Sequence, residues 1–248
     1  MPAIQPILKM RVSVTNLAAC LQQVMELAGK KKAAYICLSN VHMCMLTFDN
    51  DRFLKIVNDA DLVIPDGKPI SVAQRLLGHK RAQQVRGQDI MNAICASSGE
   101  YKLKIGFYGG SSDPLLNKMI SKLKSVHTGI QIAYVYAPPF RPLTAAEDIN
   151  VCDEINRANV DILFVGIGCP KQEIWMEQHK QKLNCVMLGV GAAFDFIAGN
   201  QKHAPKWMQE IGVEWLYRLC NEPKRLWKRY CRQNPRFIYH FIHQLIRN

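Results

Sequence analysis

The stretch Ala60-Asp61-Leu62-Val63-Ile64-Pro65-Asp66-Gly67 decides how this chain is expected to fold. The apolar residues before Pro65 form a short, partly β-branched run, which is typical of a buried strand. Pro65 cannot donate to a sheet ladder and ends the strand, and Gly67 permits a tight turn. Asp66 therefore follows the strand at its carboxyl end, the edge where ligands bind in open α/β sheets. The alternative interpretation is that Asp66 caps the next helix.

Strand and helix signals alternate along the rest of the chain. Strands are expected near 8–14, 33–38, 62–65, 104–108, 130–137, 162–167 and 185–190. Helices are expected near 17–28, 50–58, 69–78, 88–97, 113–124 and 144–157, with another beginning near Glu173. This alternation predicts an α/β fold, a Rossmann-like and mainly parallel sheet flanked by helices. We expect residues 1–195 to form this α/β core and residues 196–248 to form a basic helical appendage.

Composition excludes several classes of protein. The nine cysteines are scattered without a C-x-x-C pair, which fits reduced thiols better than a disulfide framework and suggests no zinc site. Lys9 and Arg11 interrupt the only apolar stretch near the N-terminus, so no signal peptide is expected. No run approaches 18 apolar residues, so no membrane span is expected.

The charge is concentrated at one end. The net charge is +12, and the segment from Phe196 to Asn248 carries ten Lys/Arg against three Asp/Glu, which is +7 of that total. This asymmetry favours an anionic partner: phosphates, nucleic acid or a lipid surface. The stretch Phe237 to Ile246 predicts an amphipathic helix that seeks a surface rather than the core. The alternative for the basic residues is an ordinary solvated face.

Polar residues follow several of the expected strands, so a parallel sheet would gather them at one edge. They are Ser39, Asn40, Asp66, Gly109, Gly110, Lys171, Gln172 and Asp195. Each also has a structural alternative: a turn at Ser39-Asn40, the first turn of a helix at Gln172, and a cap at Asp195. His42 is expected to be a packed histidine. The pairs Gly166-Ile-Gly168 and Gly189-Val-Gly191 lack the third glycine of a dinucleotide fingerprint, which disfavours NAD but not another phosphate-bearing ligand.

Six motifs in order over nearly the whole chain resemble the WecG/TagA/CpsF family of bacterial glycosyltransferases. They are Asp61-Leu-Val-Ile-Pro-Asp-Gly67, Gly106-Phe-Tyr-Gly-Gly-Ser111, Ala137-Pro-Pro-Phe140, Gly166-Ile-Gly-Cys-Pro-Lys-Gln-Glu173, Gly189-Val-Gly-Ala-Ala-Phe-Asp195 and Glu214-Trp-Leu-Tyr-Arg218.

This resemblance implies an inverting transfer of a sugar from a UDP-sugar to a sugar on a polyprenyl diphosphate. The products would feed teichoic acid, enterobacterial common antigen, capsule or exopolysaccharide. The protein would be cytoplasmic and peripheral on the inner face of the bacterial plasma membrane, with an anionic membrane surface and no nucleic acid among its partners. The resemblance leaves open which sugar the donor carries, with N-acetylmannosamine, its uronic acid, glucuronic acid and glucose among the alternatives, and it also leaves open whether the protein is a homo-oligomer.

The resemblance also assigns roles to residues. Asp66 matches the proposed catalytic base, and Asn40 and Gln172 match active-site positions. Leu38 stands where the family has a threonine, so Ser39 is the candidate for that hydroxyl. The nucleotide and its diphosphate would be bound by Gly109, Gly110, Pro139, Phe140, Lys171, Asp195, Arg218 and Arg225, with Arg229 or Lys228 as a third cation of the appendage.

No D-x-D carboxylate pair is placed to hold a divalent ion beside the diphosphate, so we expect no metal site and metal-independent transfer, with arginines as the cationic clamp. Two other classes of function are left as alternatives. A nucleic-acid-binding protein would show steep salt-dependent binding to RNA or DNA. A non-catalytic membrane scaffold of polysaccharide assembly would lack UDP-sugar turnover.

Overall fold

The computed structural model describes residues 2–247, apart from the Glu210 side chain. Its strands are β1 (Ile4–Ile7), β2 (Met10–Ser13), β3 (Ala34–Ser39), β4 (Leu62–Pro65), β5 (Lys104–Gly109), β6 (Gln131–Tyr136), β7 (Ile162–Gly166) and β8 (Val186–Gly189). Its helices are α1 (Leu17–Gly29), α2 (Val41–Asp49), α3 (Asp51–Asn58), α4 (Lys68–Leu76), α5 (Gly87–Ser98), α6 (Asp113–Val126), α7 (Ala145–Arg157), α8 (Lys171–His179), α9 (Ala193–Ala198), α10 (Lys206–Glu210), α11 (Glu214–Asn221) and α12 (Pro223–Arg247).

Six strands form one parallel sheet in the order β4-β3-β8-β7-β5-β6. The register pairs Ser39 of β3 with Pro65 of β4, and Cys37 of β3 with Gly189 of β8. The carboxyl ends of neighbouring strands therefore lie side by side, and the expected Rossmann-like α/β fold is confirmed.

Helices cover both faces of the sheet, because successive side chains of a strand point to opposite faces. On β3, Ile36 and Leu38 pack with α1, α5, α6 and α9, whereas Tyr35 and Cys37 pack with α2, α3, α4, α7 and α8. Every residue of β3 is buried as a result, which is the pattern of a central strand in a doubly wound sheet.

The strand expected over residues 8–14 is confirmed in part, because Met10–Ser13 forms β2. The sequence analysis did not reveal β1, which pairs with β2 in an antiparallel hairpin with Ile7 opposite Met10. Leu8 lies in the turn with a φ of 56°, a conformation that few residues with a side chain adopt. The alternation of apolar residues correctly indicated β2. The turn contains neither glycine nor asparagine, so no local residue marked the hairpin.

Helix α2 was not predicted from the sequence. It begins at Val41 directly after Asn40, whose side-chain oxygen accepts a hydrogen bond from the Met43 N–H at 3.2 Å. Met43, Cys44 and Met45 are all buried within it, so it lacks the apolar–polar periodicity on which the prediction relied.

The C-terminal segment is docked more firmly than its sequence indicated. Phe237 and Phe241 of α12 are 4% and 7% exposed and belong to the core on the α2 side of the sheet. Arg236 makes two hydrogen bonds to the Asp49 carboxylate, at 2.9 and 2.6 Å. The expectation that residues 237–246 seek a surface rather than the core is therefore wrong for this face. The opposite face, with Ile238 and Ile242, is exposed.

The expected boundary after residue 195 falls inside α9, whose Ile197 packs in the core with α5 and α6. Helix α11 ends at Asn221 and α12 begins at Pro223, as the Asn221-Glu222-Pro223 sequence predicted. In the part of the chain from 2 to 247, no helix is both long enough and apolar enough to cross a membrane.

Candidate active site

Asp66 lies on a loop that is held against the end of β3. The backbone N–H groups of Asp66 and Gly67 both donate to the Ser39 carbonyl oxygen, each at 2.9 Å. A Cβ atom on Gly67 would lie 3.0 Å from the Asn40 Cα atom. Glycine at this position therefore lets the loops that follow β3 and β4 come together, as the parallel sheet predicted.

The Asp66 carboxyl group is tied to the start of α5. Its Oδ1 accepts a hydrogen bond from the Gly87 N–H at 2.9 Å, so Asp66 does cap a helix, but a distant one rather than the next. Burial raises the pKa of Asp66 to about 6, against the lowering effects of the Gly87 hydrogen bond and the charges of Arg218 and Arg86. Such a carboxyl group changes its ionisation close to neutral pH, where a general base must work.

Ser39 does not face the cleft. Its side chain is fully buried, and its hydroxyl donates to the Ile64 carbonyl oxygen at 2.9 Å. The expectation that this hydroxyl stands in for the missing threonine does not fit this placement, because β3 turns alternate side chains away from the cleft. Its carbonyl oxygen, by contrast, holds the Asp66 loop.

Asn40 and His42 connect β3 to the appendage. The Asn40 oxygen caps α2, and His42 lies in the first turn of that helix with its Nδ1 2.6 Å from the Gln233 side-chain oxygen of α12. Burial and the nearby charge of Arg229 lower the pKa of His42 to about 4. The imidazole is therefore neutral at neutral pH and donates from Nδ1 to Gln233, which leaves Nε2 as an acceptor.

Gln172 is buried at the start of α8, and both ends of its amide have partners. Its Oε1 accepts from the Gly191 N–H at 3.2 Å, and its Nε2 donates to Glu173 Oε1 at 2.7 Å. Glu173 is completely buried. Burial raises the pKa of Glu173 to about 7, and the Gln172 hydrogen bond opposes that rise.

A cavity of about 440 Å³, which we call the inner pocket, collects these groups. Its polar lining includes Asn40, His42, Asp66, Arg86, Gln172, Arg218, Arg225 and Arg229. The appendage supplies the last three. The Nε atoms of Arg218 and Arg229 are buried and have no hydrogen-bond partner within residues 2–247, so the pocket presents guanidinium donors ready for an anion.

The structure places Arg229 rather than Lys228 in the inner pocket. Lys228 is exposed, with its ammonium 5.9 Å from the centre of the Trp227 ring. Arg229 is largely buried, and burial lowers its pKa. Of the two candidates for a third cation, only Arg229 faces the cavity.

Sequence reasoning missed Arg86, which reaches the inner pocket from the core. Its Nε lies 3.3 Å from Glu214 and its Nη1 lies 3.5 Å from Asp89. It precedes α5 in a basic loop rather than following a strand, so the strand-end argument did not select it. Its neighbour Gly87 binds Asp66, a contact that only the structure reveals.

A second cavity of about 1310 Å³, the outer groove, begins at the same edge of the sheet and extends along α8. It brings together Gly110, Pro139, Phe140, Lys171 and Asp195. Gly109 is buried behind it: its φ is +133°, and a Cβ atom there would lie 2.5 Å from the Gly166 backbone. Gly109 therefore shapes the loop, Gly110 borders the groove, and Phe140 is 93% exposed at its rim.

The inner pocket and the outer groove share one border, the seam, formed by Gly168, Gly191, Ala192 and Arg225. Asp195 lies beside this border; burial and the Glu222 charge raise its pKa, while the Arg225 charge lowers it. A ligand that enters from the outer groove and crosses the seam would bring its far end to Asp66.

One group of side chains that the cysteine spacing did not reveal also comes together. Asp148 and Cys152, one turn apart on α7, lie with His179 so that their potential ligand atoms are within 4.8 Å of one another. Asp148 is already paired with His179 at 2.8 Å and with Lys182 at 3.2 Å. Asp148 and His179 therefore already have polar partners within the protein.

A parallel α/β sheet with an arginine-lined cleft at its carboxyl edge defines a class of enzymes that bind phosphate-bearing ligands. Within that class, the chain belongs to the glycosyl transferase WecG/TagA/CpsF family, whose model matches residues 5–248. It is thus a glycosyltransferase, as the motifs predicted, and this membership lends no support to the nucleic-acid-binding alternative.

Three relatives carry the name N-acetylglucosaminyldiphosphoundecaprenol N-acetyl-beta-D-mannosaminyltransferase. The chain is 28% identical to that of Bacillus subtilis and 27% identical to that of Bacillus spizizenii, each over 81% of this chain and 76% of the relative. It is 25% identical to that of Staphylococcus aureus over 83% of this chain and 78% of the relative.

Proposed function

We propose that the protein is an inverting glycosyltransferase that moves a sugar from a UDP-sugar to a saccharide on a polyprenyl diphosphate. The sugar we propose is N-acetylmannosamine, because the names of the relatives specify its transfer onto an N-acetylglucosaminyl-diphosphoundecaprenol. The products of such a transfer are used in the synthesis of teichoic acid or a related cell-surface polysaccharide.

The placement of unpaired guanidinium groups carries the proposal. Arg218 and Arg229 each bury an Nε without an acceptor in the inner pocket, and burying unpartnered donors costs free energy unless a ligand supplies the acceptor. Arg225 lies at the seam. A nucleoside diphosphate lying along the outer groove would bring its phosphates to this arginine and its sugar to the inner pocket.

The chemistry then needs one base. Asp66 takes the proton from the attacking hydroxyl of the acceptor, and the oxygen forms a bond to C1 of the donor sugar. The bond from C1 to the diphosphate oxygen breaks, and UDP leaves with its electron pair. Attack from the face opposite UDP inverts the configuration at C1. The arginines stabilise the charge that develops on the leaving diphosphate.

Charge balance supports transfer without a metal ion. The two D-x-D sequences of the chain, Asp49-Asn50-Asp51 and Asp59-Ala60-Asp61, precede strands or join helices rather than following a strand into the cleft. Asp49 pairs with Arg236, and Asp61 pairs with Lys180 at 2.8 Å. Guanidinium groups rather than carboxylate-bound metal would therefore neutralise the diphosphate.

The segment from residue 196 to 248 would act as the appendage that completes the site and contacts the membrane. It exposes Trp207, Trp227, Ile238 and Ile242 among its basic residues. Lysine and arginine near an anionic surface contribute on the order of 1 kcal/mol each, and exposed apolar side chains add contact area. Attachment of this kind is reversible and brings the site to a lipid-carried acceptor.

The test is a transfer assay with a panel of UDP-sugars and synthetic N-acetylglucosaminyl-diphosphoundecaprenol, read by mass spectrometry of the lipid. We expect the lipid to gain one sugar from UDP-N-acetylmannosamine or a close relative of it. Turnover of another UDP-sugar would correct the donor. Absence of transfer from every UDP-sugar would contradict the proposal and favour a non-catalytic scaffold.

A further inference from the structure

Glu173 is a buried carboxyl group that the proposed chemistry does not use. It is 0% exposed in the first turn of α8. One oxygen accepts from Gln172, whereas Oε2 has no hydrogen-bond partner among the described residues. Burying a carboxyl group with an unmatched oxygen opposes folding. Packing alone would be served better by an apolar side chain, so the carboxyl group calls for another explanation.

That explanation lies in the amide of Gln172. An amide presents an oxygen at one end and a nitrogen at the other, and the two ends can exchange places by rotation. The Glu173 oxygen accepts a hydrogen bond and so attracts the nitrogen end, at 2.7 Å. The oxygen end is then directed to the Gly191 N–H, at 3.2 Å. Glu173 therefore selects one of the two orientations.

The Gly191 loop is the part of the site that this amide controls. Gly191 has a φ of +55° and borders both the inner pocket and the outer groove. The same amide packs against the end of β8, where a Cβ atom on Gly189 would lie 2.9 Å from Nε2 of Gln172. The orientation of Gln172 thus determines where the seam backbone lies.

We propose that Glu173 is a positioning residue for sugar transfer: its carboxyl group orients the Gln172 amide, which holds the Gly191 loop in the shape that receives the diphosphate of the donor. This inference rests on the proposed function for the identity of the ligand. The contact chain from Glu173 through Gln172 to Gly191 is independent of it.

The first test compares Glu173→Met with Glu173→Gln. Methionine has a similar length but no acceptor, whereas glutamine keeps a carbonyl oxygen that can receive the Gln172 N–H. We expect Glu173→Met to lower kcat about 100-fold, the effect of misplacing a binding group by about 1 Å. Glu173→Gln should retain most of the activity. Glu26→Met, at an exposed position of α1 that borders neither the inner pocket nor the outer groove, is the matched control and should leave activity unchanged.

The thermal midpoint separates positioning from packing. Glu173→Met should unfold at the same temperature as the wild type or higher, because it removes a buried carboxyl group. A lower midpoint together with equal loss of activity in both variants would show that Glu173 serves only the packing of α8, and would overturn the inference.

A double-mutant cycle tests whether Glu173 acts through Gln172. In a Gln172→Ala background, Glu173→Met should cause no further loss of kcat, because coupled residues are not additive. Full additivity of the two losses would overturn the inference.

A measurement without ligand keeps this test separate from the proposed function. In NMR spectra, the Gly191 amide resonance should move and exchange faster with solvent in Glu173→Met but not in Glu173→Gln. An unchanged Gly191 resonance in Glu173→Met would contradict the positioning role, whatever the substrate. A wild-type enzyme that turns over no UDP-sugar would instead contradict the proposed function.

Discussion

The backbone N–H of Gly87 lies 2.9 Å from Oδ1 of Asp66 and joins the proposed base to the first residue of α5. The close approach depends on glycine, since a Cβ atom on Gly87 would lie 3.1 Å from the Val190 carbonyl oxygen. Asp66 thus keeps one oxygen engaged and the other available. The orientation of the base is set before any substrate arrives, as effective general-base catalysis requires.

Asp66→Asn should reduce sugar transfer by at least ~100-fold, because a positioned general base contributes about that much. UDP binding, measured by calorimetry, should be largely retained, since the amide can still accept from Gly87. Asp51→Asn, which removes a charge from an exposed carboxylate, is the control and should remain active. Near-normal turnover by Asp66→Asn would show that Asp66 is not the general base.

The rate of transfer should rise with pH through about 6. Burial raises the pKa of Asp66 to about 6, and only the ionised carboxylate accepts a proton, so the acid form below that pH is inactive. The pH dependence of kcat/KM measures this directly. Glu173 also titrates near neutrality, so the acid limb should persist in Glu173→Gln. Its disappearance there would assign the limb to Glu173 instead.

Arg218→Ala and Arg229→Ala should each weaken UDP-sugar turnover at least ~10-fold, because a hydrogen bond to a charged group contributes roughly 1.5–3 kcal/mol. Both guanidinium groups lack an acceptor within the described part of the chain, so thermal stability should change little. Arg52→Ala, at an exposed position of α3, provides the comparison. Loss of stability in parallel with activity would favour a packing role.

Chelation should leave transfer unchanged. The proposed clamp consists of arginines, so activity after dialysis against EDTA should equal that of the untreated enzyme. Addition of magnesium or manganese should then have no effect. Activity that is lost on dialysis and restored by either ion would show that a metal shares the neutralisation of the diphosphate.

Phe241→Ala should destabilise the fold by about 3 kcal/mol, the usual cost of truncating a buried phenylalanine. Phe241 is 7% exposed between α12 and the core. Ile242→Ala, on the exposed face of the same helix, should change the free energy of unfolding far less. Denaturant titration measures both, and equal effects would argue against docking of this face.

The sheet and most strand ends followed from apolar runs and turn residues. Asp66, Asn40, Gln172 and Asp195 were located by one argument, that the carboxyl ends of parallel strands share an edge. Strand limits agree with the structure to about one residue, apart from the N-terminal hairpin. Local signals sufficed for β3, β4, β7 and β8 because these strands are almost entirely buried and are therefore largely apolar.

Features that depend on contacts between distant parts of the sequence could not be predicted from local signals. Ser39 was a candidate because it follows a strand, but only the register shows that its side chain points away from the cleft. Docking of Phe237 needs the partner surface of α2, a helix that the sequence did not reveal. Arg86 enters the site through tertiary packing alone.

The side chain of Gln244 donates to the Pro6 carbonyl oxygen at 2.9 Å and accepts from the Leu8 N–H at 2.8 Å. These two hydrogen bonds join α12 to the β1–β2 hairpin, so elements from opposite ends of the sequence lie in contact. The helix that supplies Arg225 and Arg229 to the inner pocket is thus held, near its other end, by a hairpin from the opposite end of the sequence.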